Sequence, residues 1–209
     1  MSKAEIITFT IAMLAITNPI GNLAIFASLT GNKSLEGKKK TAFVAGSAIL
    51  IILITVTWTG DLILRGFGID IASFETAGGL IIALMGISML HARTSETHHN
   101  KEEDKEAKSK DSVAVVPIAI PIVAGPGAIT TIIVNTHRFP TIEDKVFISC
   151  VSLLIALILW LAFYFSAPVS RLLGVFGINI VTRIMGIILT AIAFGMMASG
   201  FKALFPGLA

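Results

Sequence analysis

The chain has 209 residues, of which 55% are hydrophobic and only 14% charged, with a mean hydropathy of +0.87 and a net charge of +3. A soluble domain carries about a quarter charged residues, so this composition excludes a soluble enzyme or binding domain. The basic residues flank apolar runs, which makes them a membrane-boundary signal rather than a nucleic-acid footprint.

The runs are long enough to matter, because crossing ~30 Å of hydrocarbon takes about 20 helical residues. The first, Ile6–Asn32, has no charge. It exceeds the ~7–15 apolar residues of a cleaved signal peptide. Half way along it stands Thr-Asn-Pro-Ile-Gly-Asn, residues 17–22. Asn caps the free N–H groups that open a helix, and Pro fits a first turn. The span is therefore predicted to stop and restart inside the membrane. The second run, Thr41–Gly60, is uninterrupted, and the third, Ile71–Leu90, holds a single charge, Glu75. A polar stretch of mixed charge follows, His91–Ser112, and reads as a solvated linker. His98 and His99 stand in it without a spaced third ligand, so no metal site is expected. The fourth run, Ser112–Thr136, contains a second break signal at Gly125-Pro126-Gly127. The fifth, Val146–Ser170, carries the lone cysteine, Cys150, read as a small buried thiol. Arg183 opens the sixth, Ile184–Phe201. All six are continuous rather than alternating, which indicates helices and not strands.

The linker separates two related halves. Leu64–Ile71 (LRGFGIDI) resembles Leu173–Ile180 (LGVFGINI) 109 residues later, and at that offset Leu80 and Gly86 also meet identical residues. Pro19 and Pro126 are 107 residues apart, each in the first span of its half. With three spans per half, the second half enters from the opposite side, the arrangement of inverted-repeat transporters. The predicted fold is an all-α integral membrane protein of six transmembrane helices in two inverted three-helix repeats, residues 1–91 and 113–209, joined by linker 92–112. The first helix of each repeat is broken near the bilayer midplane: Asn18 is the thirteenth residue of its run and Gly125 the fourteenth of its own.

Backbone groups freed at a break cannot face lipid, where each costs several kcal/mol. They must line a polar cavity or be buried in protein. Each restarted helix presents about half a positive charge at its N-terminus, so two breaks meeting at one depth suit a small anionic group. Pro and Gly also make simple kinks in membrane helices, but two at matching depth in matching halves favour a site. The candidate substrate-binding residues are Thr17, Asn18, Pro19, Gly21, Asn22, Gly125, Pro126, Gly127 and Thr130, with Thr131 and Asn135 nearby. Gly21 and Gly127 let a ligand approach the backbone. Glu75 and Arg183 are candidates for gating or coupling, as charges at membrane depth are expensive. Gly79, Gly86, Gly186 and Gly195 read as close helix packing.

Four segments resemble the MarC family of bacterial and archaeal inner-membrane proteins: NPIGN, ETAGGLIIALMGISML, VVPIAIPIVAGPGAITTI and GINIVTRIMGIILTAIAFGM. The similarity covers essentially the whole chain apart from the polar loop at residues 93–110. The family name reflects a supposed link to multiple antibiotic resistance. The resemblance implies a SnatA-like transporter of small neutral amino acids such as glycine and alanine.

The expected function is a secondary transporter working by alternating access around the midplane site. The alternatives are a broad small-molecule efflux protein and a non-transporting structural or regulatory membrane protein. No HExxH, no Ser–Lys or Ser–His pair at membrane depth and no ATP-binding motif is present, so neither an enzyme nor a primary pump is expected. No cofactor or metal is expected, and coupling to H+ or Na+ is left open. The expected partners are the lipid bilayer and the amino-acid substrate, with the oligomeric state open.

Sidedness follows from Lys and Arg. The N-terminus, loops 2–3 and 4–5 and the C-terminus hold five: Lys3, Arg65, Arg138, Lys145 and Lys202. The opposite loops hold ten, in Lys33–Lys40, Arg93–Lys110 and Arg171. The richer side is cytoplasmic, which puts the linker inside and both termini outside an inner membrane. A cysteine at Ser95, in a Cys150→Ser background, is expected to resist membrane-impermeant thiol reagents in intact cells. Rapid labelling would reverse the topology.

Overall fold

The structure is a computed structural model that describes residues 1–91 and 123–208, so the linker and the start of the fourth run lie outside the described residues. Within them it is all helical: α1 Lys3–Thr17, α2 Gly21–Leu29, α3 Leu35–Gly66, α4 Ile71–Leu90, α5 Pro126–Arg138, α6 Ile142–Tyr164 and α7 Ser166–Leu204, followed by a 3-10 turn at Pro206–Leu208. Five segments are long and apolar enough to cross a membrane: α1 with α2, α3, α4, α6 and α7. At 13 residues α5 is too short alone. The sixth predicted span is thus described only in its second part.

Caps place the helix starts outside the apolar runs. Ser34 accepts a hydrogen bond from the Gly37 N–H at 3.1 Å, so α3 begins before Lys38, Lys39 and Lys40 and carries all three in its first turns. Their apolar stems lie along the helix while the ammonium groups reach water. Thr141 starts α6 in the same way, accepting from the Asp144 N–H at 3.1 Å. Helix α7 begins eighteen residues before the predicted sixth run and bends at Gly174, whose φ is 60°. Arg183 therefore stands well inside α7, on its exposed side, and does not open a span.

The two FGI segments fold differently. In the first, Gly68 adopts φ 65° in the turn before α4, and Asp70 caps that helix by accepting from the Ser73 N–H at 3.1 Å. In the second, Gly177 and Asn179 are helical and the positive φ moves to Gly174. Asp at an N-cap is favourable, whereas Asn179 has no helix end to cap.

Helix α4 packs along α7, and α3 along α6. The α4–α7 seam is made of small residues. A Cβ added at Gly86 would lie 2.9 Å from the Gly186 carbonyl oxygen, and one at Gly79 would lie 2.9 Å from that of Ala193. At Gly200 it would lie 2.8 Å from that of Ala72. The lower number on one helix meets the higher on the other, so the two run antiparallel. The contacts Gly79–Ala193 and Gly86–Gly186 also exchange into one another at an offset of 107 residues, the separation of Pro19 and Pro126. Offset 109 does not hold in these helices: Leu189 is fully buried while Leu80 is half exposed.

Gly195 corrects the packing expectation, because nothing lies within 4 Å of the position its Cβ would take. At 3.6 residues per turn it falls on the face opposite Gly186, and Gly200 holds the seam instead. Cys150 is likewise exposed on α6 rather than buried.

The helix ends group as alternating spans require. Asp61 near the end of α3 bonds His137 at the end of α5 at 3.0 Å, and Lys145 at the start of α6 lies 5.9 Å from the Trp58 ring. At the other end Lys39 lies 4.9 Å from the Tyr164 ring. Valine at Gly86 or Gly200 is expected to cost about 1–3 kcal/mol by overpacking the seam. Gly195→Val should unfold with the parent in a thermal melt in detergent, and an equal loss at Gly195 would contradict this seam.

Candidate functional site

Helix α1 stops where predicted. Asn18 takes a left-handed conformation, φ 37° and ψ 66°, the only non-glycine residue with positive φ among those described. Asn tolerates this better than most residues. Its N–H still bonds the Leu14 carbonyl at 3.0 Å, completing α1. Its side-chain oxygen then accepts from the Gly21 N–H at 3.1 Å and starts α2. That bond takes the donor the Thr17 carbonyl would have had in a continuous helix. Asn22 replaces it, donating from Nδ2 to the Thr17 carbonyl at 2.8 Å. Thr17, Asn18 and Asn22 are all buried. Two asparagine side chains thus do the work of the missing backbone bonds.

The second restart is built differently. Gly125 precedes α5, Pro126 takes its first position, and no side chain caps it among the described residues. Thr130 and Thr131 are buried; Thr131 Oγ1 donates to the Gly127 carbonyl at 2.9 Å, and Asn135 Nδ2 to the Thr131 carbonyl at 2.8 Å.

The fold brings the two breaks together. A Cβ at Gly127 would lie 3.4 Å from Ile16 Cγ2, one residue from the end of α1. It would also lie 3.1 Å from Ile82 Cγ1 and 3.5 Å from Met85 Sδ on α4. Gly78, one turn earlier on α4, packs so closely on Thr130 that any side chain there would collide with it. Gly21 faces its own cap, since a Cβ there would strike the Asn18 side chain.

Glu75 and Arg183 do not form a pair. Glu75, 8% exposed, bonds Arg138 across 3.1 Å, and the same guanidinium reaches Ser199 Oγ at 3.4 Å. Seven residues of α4 separate Glu75 from Ile82, about 10 Å of helix, so the pair sits to one side of the breaks. Arg138 is the functional candidate the sequence reading missed. A signal existed: strict alternation puts the start of span three and the end of span four on one side, and Glu75 and Arg138 are the charges there.

Apolar helices that bury polar residues at an internal break define a multi-pass integral membrane protein. The family described as "MarC family integral membrane protein" matches residues 3–205, and the chain belongs to that family. Similar proteins include a UPF0056 membrane protein of Buchnera aphidicola from Acyrthosiphon pisum, 39% identical over 97% of this chain and 94% of the relative. UPF0056 membrane protein YhcE of Escherichia coli is 37% identical over 96% and 93%, and YvbG of Bacillus subtilis 34% over 99% and 98%. No solved structure matches.

Glycine and alanine at position 18 separate the two tasks of Asn18. Asn18→Gly keeps the left-handed backbone and loses only the cap, a cost of a few tenths of a kcal/mol on replacement by glycine. Asn18→Ala also forces a Cβ into that conformation, for a further ~1–2 kcal/mol. Thermal unfolding in detergent should rank parent, Gly and Ala in that order, and equal values for Gly and Ala would contradict the strained cap.

Proposed function

We propose that this protein is a secondary transporter of small neutral amino acids of the glycine and alanine type. In this proposal it works as two inverted three-helix repeats that alternate access to a site at the two breaks. The observation that carries the proposal is the meeting of Gly127 with the end of α1 inside the bundle. The 107-residue exchange along the α4–α7 seam supports the repeat.

The uncapped α5 N-terminus, at Gly127 and Ala128, takes the substrate carboxylate, where a helix start favours an anion. The α2 N-terminus contributes less than its position alone promises, because its Gly21 N–H is held by Asn18. Asn22, Thr17 and the carbonyls of the first break face the ammonium group. The side chain must be small, since Ile16, Ile82 and Met85 crowd Gly127. Glu75 with Arg138 serves as a gate on one side, and H+ or Na+ supplies the driving gradient.

One observation favours the non-transporting alternative: Asn18 and Asn22 satisfy the first break internally, as a shut kink would. Transport decides between them. Proteoliposomes holding the protein are expected to take up radiolabelled glycine, faster under an imposed proton or sodium gradient. Alanine should compete; tryptophan and arginine should not. Gly127→Val should weaken glycine binding at least tenfold, about 1.4 kcal/mol, while Gly195→Val behaves as the parent. Absence of flux would select the non-transporting reading, and equal competition by all amino acids the broad efflux reading.

A further inference from the structure

A groove of about 260 Å3 runs along the outer face between α3 and α6. Phe43, Gly46 and Leu50 line it from α3, and Leu153, Leu157 and Trp160 from α6. Phe43, Leu153 and Leu157 are each about half exposed, so the groove opens to the surroundings of the bundle, which for this part of a membrane protein are lipid. It exists because Gly46 has no side chain: a Cβ there would lie 2.9 Å from that of Trp160.

One end of the groove is basic and aromatic. Lys39, Phe43, Gly46 and Leu50 recur at helical spacing, which puts Lys39 one turn beyond the apolar lining. Its ammonium sits 4.9 Å from the Tyr164 ring, and Tyr164 lies 5.8 Å from Trp160. Lys40 beside it is exposed. Trp, Tyr and Lys together mark the membrane–water boundary. The Trp160 indole N–H is buried without a partner among the described residues. A buried indole N–H ordinarily finds an acceptor, and at this depth the bilayer supplies the ester carbonyls of glycerolipids.

We propose that this groove is a binding site for an anionic phospholipid. One acyl chain lies along Phe43, Leu50, Leu153 and Leu157. The phosphate and its second anionic or hydroxyl group sit at Lys39 and Lys40, and an ester carbonyl accepts from Trp160. The charge chooses the occupant: two lysines at the mouth of an apolar slot favour an anionic headgroup over the zwitterionic one of phosphatidylcholine. The site lies away from the helix breaks and does not depend on what the protein transports.

The chain has two tryptophans, so Trp58→Phe leaves Trp160 as the only indole. That variant, reconstituted as the full chain in phosphatidylcholine bilayers, can be titrated with brominated phosphatidylglycerol or brominated phosphatidylcholine, whose bromines quench a neighbouring indole. Phosphatidylglycerol is expected to bind at least about fivefold more tightly, roughly the effect of one lysine near an anionic surface. Lys39→Gln with Lys40→Gln should bring the ratio to one, and Ser47→Phe, which fills the groove, should abolish the preference with both lysines in place. Equal quenching by the two lipids in the Trp58→Phe protein would overturn the proposal. So would a preference that survives either the lysine or the Ser47 change.

Discussion

Everything at the centre of this protein depends on one constraint: a helix interrupted within a bilayer must satisfy its freed backbone groups without water. The first break meets it with two asparagines acting in opposite senses. Asn18 accepts from the N–H that opens α2, and Asn22 donates to the carbonyl that closes α1. The left-handed turn at Asn18 lets the chain change direction while Leu14 keeps its last helical bond. No apolar residue could fill either position, which is why polar side chains are buried in the middle of an otherwise apolar run.

The break is held by its neighbours rather than by itself. Helix α5 brings Gly127 against Ile16, and α4 supports both through Ile82 and Gly78. Helix α4 is in turn fixed by the glycine seam with α7, where the backbones approach closely enough to exclude a methyl group. Between helices in lipid there is no hydrophobic driving force, so close packing of small residues has to supply the association. The seam and the breaks share the 107-residue relation, which is what two halves meeting about a common axis would produce.

Charge is confined to places where it is paired or can reach water. Glu75 is buried, yet Arg138 from another helix meets it, and the guanidinium is half exposed. Lys39 lies over the Tyr164 ring at the edge of the bundle. Arg183, placed on the exposed side of α7, has no role in the buried site.

The sequence by itself determined the class of protein, the apolar spans and the position of the first break, because these rest on local chemistry: hydropathy over about 20 residues and the fixed preferences of Asn, Pro and Gly. It also determined that Asn18 would cap the restarted helix. Helix ends were less legible, since Ser34 and Thr141 start helices through polar residues that the apolar runs leave out. What only the tertiary structure decided was which distant groups meet. The Glu75–Arg138 pair joins residues 63 positions apart, and Thr130 on Gly78 joins two helices with no sequence mark of their contact. Gly195 shows the reason most plainly. It matches Gly86 in the repeat and is as small, but helical periodicity turns it away from the partner helix, and a glycine packs only where another backbone arrives.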